Sequence, residues 1–391
     1  MQADCVGGTT CVNLADEKQE IKGFGGISHP VWIGDLTAAQ RETAFGNGPN
    51  QLGFSVLRLF ISDNRNDWTR DVDTALRAQE AGAYIFSSPW NPPSGMTVNV
   101  NGVKRIDPSK FGEYAQHLTD YYNTMTNAGV DIYAVSIQNE PDYAHDWTEW
   151  SPEEILNFSK NYAGDLSFRV MSAESFQYRK QIYDPILNDP AALENIDVFG
   201  AHTYGTQVSQ MPYPLFKQKG AGKELWMTEV YVPNSNADSS DNWPEALQVA
   251  THVHNCLVEG EFQAYVWWYI RRSYSPMKED GNIGKRGYMM AHYSKWVRPG
   301  FIRVDMPKNP VNGVNASAYK SDSDVTIVLV NTGNSPQTLN LSVAGSRVTT
   351  YYQTVTSGSK NLSDEGTVSV VDGQFSVSLE AQSVTTLHSA N

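Results

Sequence analysis

The chain has 391 residues and a formal net charge of −14, from 29 basic and 43 acidic side chains. That length supports a large core and two domains, and the charge argues against a nucleic-acid backbone or an anionic membrane surface as the main partner. No apolar run reaches membrane-spanning length, while 10 Trp and 20 Tyr offer flat apolar faces with polar edges, which suit sugar rings.

The start, Met1-Gln2-Ala3-Asp4, has no signal-peptide pattern; it reads as the beginning of a mature secreted chain, expected outside the cell. Cys5 and Cys11, in a Gly/Thr-rich stretch, leave open a small disulfide loop, and Cys256 lies in a helical pattern as a buried thiol. No clustered Cys/His spacing points to zinc, and no metal or cofactor is expected. Residues up to about 20 read as an edge strand that joins the C-terminal sheet. Lys22 to Gly26 is a short strand ending in glycines. Thr37-Ala38-Ala39-Gln40 is a capping-box pattern that opens a helix ending near Gly46. A buried strand, Gly53 to Ile61, precedes a helix from Val72 to Ala81 that stops at Gly82. The strand Ala83 to Ser88 runs into Pro89-Trp90-Asn91-Pro92-Pro93, and Phe111 to Ala128 is helical. The apolar run Ile132 to Ile137 ends in Asn139-Glu140-Pro141, because Pro141 cannot donate to a sheet. Ser151-Pro152-Glu153-Glu154 combines a cap, an N1 proline and a returning carboxylate at a helix start.

Strands then follow at Phe168 to Ala173, Ile196 to Ala201, and Leu225 to Glu229. The helix Trp243 to Val258, the strand Gln263 to Tyr269 and a helix through Gly287 to Trp296 complete the series. Eight strands alternating with helices predict a (β/α)8 TIM barrel over residues 22–299. Beyond Pro299 the texture changes to short period-two runs such as Val325 to Val330, Leu339 to Val343, Val368 to Val371, Phe375 to Leu379 and Val384 to Leu387. Punctuated by Gly, Ser, Asn and Asp, they predict a side β-sandwich built from 300–391 with 1–21. No linker separates the two, which suggests tight packing.

A barrel carries its active site at the C-terminal ends of its strands. The residues there are Arg58, Trp90, Asn139, Glu140, His202, Tyr204, Glu229, Trp267 and Arg271-Arg272. Glu140 and Glu229 end the fourth and seventh strands, on tips that face each other across the mouth. Hydrolysis of a glycoside with retention needs such a pair: one carboxyl protonates the leaving oxygen, the other attacks the anomeric carbon. Arg58 is placed to keep a nucleophilic carboxylate ionised, Tyr204 to hydrogen-bond it, and Asn139 to hold a sugar 2-hydroxyl. His202 is either a partner of the acid or a satisfied structural histidine. Trp267 and Trp268 alternate in face, so only one reaches the mouth; Trp267 is assigned to it.

The set Arg58, Asn139-Glu140, His202-x-Tyr204, Glu229 and Trp267 resembles the retaining glycosidase clan built on (β/α)8 barrels. More narrowly, the segments KGFGGISHPVWIGDLT, SSPWNPP, VSIQNEPDYAHDW, HTYGTQVSQMPYPLFKQKGAGKELWMTEVY and AYVWWYIRRSYSPMKEDG closely resemble bacterial glucuronoxylanases of glycoside hydrolase family 30, subfamily 8. The resemblance spans essentially the whole chain and is most specific over the barrel. It implies that Glu140 is the general acid/base and Glu229 the nucleophile of an endo-acting xylanase whose polysaccharide substrate, xylan, is read at a glucuronic or methylglucuronic acid branch; the chain is expected to be a monomer. It further implies that Arg272 binds the branch carboxylate, with Tyr231, Ser235, Trp267 and Tyr274 lining the same pocket. A guanidinium offers a planar fork for a carboxylate, so one local cation lets an acidic protein bind an acidic substrate. Glu279 or Asp280 is the alternative partner of Arg272. Cys5 and Cys11 have no place in the family pattern. Two competing readings remain: a family 30 enzyme for neutral substrates (a β-1,6-glucanase or β-glucosidase), against which Arg272, Tyr231 and Ser235 argue, and a non-catalytic carbohydrate-binding protein, against which the intact Glu140 and Glu229 argue.

Overall fold

Eight apolar strands, each buried over nearly its whole length, close on themselves as a parallel barrel in the computed structural model, which describes residues 4–143 and 146–389. They are β1 (Gly23–Ile27), β2 (Val56–Ile61), β3 (Tyr84–Pro89), β4 (Ala134–Ser136), β5 (Val170–Ser175), β6 (Val198–His202), β7 (Glu224–Glu229) and β8 (Ala264–Tyr269). Closure comes from β8 pairing in parallel with β1, Ala264 opposite Gly23 and Tyr265 opposite Phe24. All eight are the strands expected. Gly25 permits the tight approach of β1 to β2, since a Cβ there would lie 1.7 Å from the Val56 carbonyl oxygen. Alternate residues divide the core. Val56, Phe86, Met171, Val198, Trp226 and Val266 fill the barrel interior, while Leu57, Ile85, Phe199, Met227, Tyr265 and Trp267 meet the helices outside.

The helices begin where the caps demand. Thr37 and Gln40 close a reciprocal capping box on Ala38–Phe45, and Ser151 and Glu154 do the same for Pro152–Asn161. Leu247–Val258 starts later than expected, because the residues around Pro244 form turns. A small hairpin, Thr97–Val100 with Val103–Ile106, decorates the loop after β3; its Asn101-Gly102 turn, both residues at positive φ, is a hairpin signal that the sequence reading passed over.

The side domain is a nine-stranded mixed sheet that doubles over into a sandwich. Its folding is marked by Tyr351 and Phe375, from strands far apart in sheet order, whose rings lie 4.9 Å apart. Thr10–Glu20 is not an edge strand. It pairs antiparallel with Ile302–Asp305 on one side and parallel with Gln337–Ala344 on the other. Cys5 and Cys11 are joined in a disulfide, and Cys256 is a buried free thiol. The strand Val325–Asn331 is buried on both faces: Ile327 and Leu329 point into the sandwich, Val328 and Val330 into the barrel's helical layer. His292, on the helix Lys285–Ser294, ties the two together, its ring nitrogens each 2.8 Å from Thr386 and Thr356 hydroxyls. Among the described residues no helix is long and apolar enough to cross a membrane.

Candidate active site

The end of β4 turns the chain sharply. Glu140 takes a left-handed conformation, φ 42°, and its N–H donates to the Glu174 carbonyl at 2.9 Å. For a residue before proline this is a costly backbone shape, and it aims the side chain across the barrel mouth. The register of β7 shifts between Met227 and Glu229. Such an irregularity re-aims a side chain, and Glu229, which would otherwise share the outward face of Met227, turns inward. One carboxylate oxygen of Glu140, one of Glu229 and a His202 ring nitrogen all lie within 4.8 Å of one another.

Arg58, fully buried on β2, organises the floor. Its Nη1 donates to Glu229 Oε1 at 2.6 Å, its Nη2 to Asn139 Oδ1 at 2.7 Å and Glu174 Oε2 at 3.1 Å, and its guanidinium lies 4.7 Å from the Trp90 ring. Tyr204 donates to Glu229 Oε2 at 2.7 Å, so both oxygens of Glu229 are engaged. Asn139 Nδ2 is buried with no protein partner, which leaves a donor for a substrate oxygen. His202 lies between acids, its Nδ1 2.9 Å from Glu140 and its Nε2 3.2 Å from Glu174.

These contacts set the charges. Burial pushes the Glu140 carboxyl up to about 7; the hydrogen bond with His202 opposes this and the Glu229 charge adds to it. Burial alone would lower His202, but the Glu229 charge and the bonds to Glu140 and Glu174 carry it up to about 9. Burial alone would raise Glu174, but the Arg58 charge and His202 hold it down to about 2. With Glu140 protonated, the cations Arg58 and His202 balance the carboxylates Glu174 and Glu229. A neutral acid thus faces a carboxylate at short range, the arrangement needed to protonate a leaving oxygen on one side and attack carbon on the other.

Glu174 escaped the sequence reading, although it carries the same signal as Glu140 and Glu229, an acid at a strand tip. It accepts from Arg58 and, at 2.7 Å, from Thr228. Trp267 does not reach the mouth or the branch pocket expected of it. It is buried on the outward face of β8 with its indole N–H toward Ser275 Oγ at 3.4 Å, whereas Trp268 lines the cleft. That cleft, about 480 Å³, has Trp32, Trp90 and Trp268 on one flank, Tyr143, Trp147 and Phe176 among its other aromatics, and Glu140 and Glu229 in it. Tyr231 lines it too, and its ring meets Tyr204 at 5.0 Å and Tyr274 at 5.7 Å. Arg272 lies over Tyr269 at 5.6 Å and donates to Glu279 at 3.2 Å, the alternative partner that the sequence left open. Ser235 is exposed on the loop after β7.

Paired carboxylates at the strand tips of a (β/α)8 barrel, in an aromatic cleft, define a glycoside hydrolase. No protein-family model matches the chain. It is 58% identical over 380 residues to the glucuronoxylanase XynC of Bacillus subtilis strain 168, an alignment covering 96% of this chain and 90% of the relative. The crystal structure of a GH30 endoxylanase from Clostridium papyrosolvens C71 is 39% identical, with a TM-score of 0.92 and coverage of 98% of this chain and 100% of that one. The family 30 subfamily 8 xylanase Xyn30A from Clostridium acetobutylicum is 31% identical, with a TM-score of 0.88 and the same coverage. The chain belongs to glycoside hydrolase family 30, subfamily 8.

Proposed function

We propose that this protein is a retaining endo-β-1,4-xylanase that cleaves glucuronoxylan, with Glu140 as general acid/base and Glu229 as nucleophile. The observation that carries the mechanism is the carboxylate pair: one oxygen of Glu140 and one of Glu229 lie within 4.8 Å of each other, in keeping with the roughly 5 Å separation of a retaining pair rather than the roughly 6.5–9.5 Å of an inverting one. Glu229 attacks the anomeric carbon as Glu140 gives its proton to the departing oxygen. Glu140, now a carboxylate, then takes a proton from the water that frees the glycosyl enzyme. Asn139 Nδ2 is the donor for the 2-hydroxyl, a contact that tightens in the transition state. The xylan substrate is carried over from the 58% identical glucuronoxylanase. A polymer of that size acts outside the cell, so we assign the protein to the extracellular space, working as a monomer.

Specificity is assigned to Arg272, with Tyr231, Ser235 and Tyr274, as reader of a glucuronate branch. The side chain of Arg272 is 42% exposed and lies over Tyr269, the residue after Trp268 of the cleft wall, so its guanidinium is open to a branch. Arg271 turns the other way, donating to the Asp35 and Ile33 carbonyls at 3.1 Å and to Gln40 at 2.6 Å. A charge-assisted hydrogen bond contributes about 1.5–3 kcal/mol. Arg272→Ala is therefore expected to lose roughly 10- to 150-fold in kcat/KM on glucuronoxylan, towards the lower end because the site is wet. Activity on undecorated xylan should be low and change little. Equal losses on both polymers would remove the branch-reading role. Mass analysis of products from the two polymers should place each cut at a fixed position relative to a branch.

A further inference from the structure

The segment Lys278-Glu279-Asp280-Gly281 follows β8 and reverses the chain. Gly281 N donates to the Lys278 carbonyl at 2.9 Å, with Gly281 at φ 85°, and Arg272 N donates to Met277 O at 3.0 Å. The turn therefore folds back over the two arginines and brings the Glu279 carboxylate between them. One oxygen accepts from Arg272 Nη1 at 3.2 Å. The other lies 3.8 Å from Arg271 Nε, beyond hydrogen-bonding range. That Nε is buried and has no hydrogen-bond partner, while the Nη groups of Arg271 are fixed by Gln40 and by main-chain carbonyls. Asp280 is occupied within the turn by Asn282, at 2.9 and 3.0 Å. Two guanidiniums thus share the Glu279 carboxylate, and only one of them is hydrogen-bonded to it.

We propose that Glu279 is a specificity-determining residue: it occupies the Arg272 fork in the empty enzyme and moves to the unpartnered Arg271 Nε when an acidic branch arrives. This rests on the reading of Arg272 given above. The small displacement satisfies a buried donor that is orphaned in the empty state, and with the branch bound two carboxylates face two guanidiniums. A neutral hydroxyl bonds a guanidinium less strongly than a carboxylate does, so it does not dislodge Glu279. The residue thereby competes with the branch carboxylate for the fork and tunes how strongly decorated chains are held.

The test is a double-mutant cycle on glucuronoxylan with the wild type, Glu279→Gln, Arg272→Ala and the double variant. Glu279→Gln frees the fork, and KM should fall roughly 2- to 5-fold, the scale of an exposed ion pair, with kcat constant. On the Arg272→Ala background the same substitution should leave KM unchanged. An unchanged or raised KM in the single variant, or an equal fall without Arg272, overturns the proposal. If Arg272→Ala loses equally on decorated and undecorated polymer, the branch reading falls and the relay with it. If Arg272→Ala discriminates while Glu279→Gln has no effect, only the relay falls. A crystal structure with an acid-branched xylooligosaccharide should show Glu279 within hydrogen-bonding distance of Arg271 Nε. Glu279 still on Arg272 beside the bound branch would overturn it equally.

Discussion

Glu140→Gln removes the proton that the proposed mechanism donates and keeps the side chain's shape. In the wild type, burial lifts this carboxyl from 4.5 to about 7. The general acid should therefore be mostly protonated at pH 6 and mostly ionised at pH 8, and kcat/KM on xylan should fall about tenfold per pH unit above the upper pKa. Protonation matters least when the leaving group is already stable. Glu140→Gln should lose the alkaline limb and should be least impaired on an aryl xylobioside with a dinitrophenol leaving group. The same shift has a stability counterpart. The folded pKa is raised, so the folded state holds a proton that the unfolded state releases near pH 4.5. The contribution is fully present below that pH and is lost as pH rises through about 7. The shift corresponds to about 3 kcal/mol. Urea unfolding of wild type and variant between pH 4 and 8 should show the variant gaining on the wild type by that order. An alkaline limb that survives in the variant, or stability curves that run parallel, would refute the argument.

Glu229→Ala should abolish turnover, and azide should restore it on an activated β-xylobioside with an α-configured product; the Glu140→Ala product should be β, distinguished by proton NMR. In the wild type the first-formed sugar should have the β configuration. Glu174→Gln withdraws a carboxylate that helps to raise His202, so the imidazole titration followed by NMR should move down and kcat should fall. Trp268→Ala should raise KM on xylan with little change in melting temperature. Trp267→Ala should do the reverse, costing about 3–5 kcal/mol of stability for a buried indole, measured by denaturant titration.

Local periodicity and turn chemistry were enough to read the barrel from the sequence, because both are properties of neighbouring residues. Apolar strands, capping boxes at Thr37 and Ser151, and Pro141 after Glu140 each leave their mark within a few positions. The same signals marked Glu140 and Glu229, since an acid directly after a buried strand is conspicuous. Partnership across the barrel was legible only in part: Arg58 and Tyr204 could be assigned to the nucleophilic carboxylate, but Glu174 could not. Glu174 carries an equal local signal, and its importance comes from meeting Arg58, His202 and Thr228, which lie far away in sequence. Alternation showed that Trp267 and Trp268 face opposite ways, but which one faces inward depends on the absolute register of β8 in the closed sheet. The strand Thr10–Glu20 looked like an edge because its partners, Ile302–Asp305 and Gln337–Ala344, lie hundreds of residues on. Tertiary structure alone decided the protonation states, since the desolvation and charge pairing that raise Glu140 and His202 and depress Glu174 exist only once eight strand tips converge.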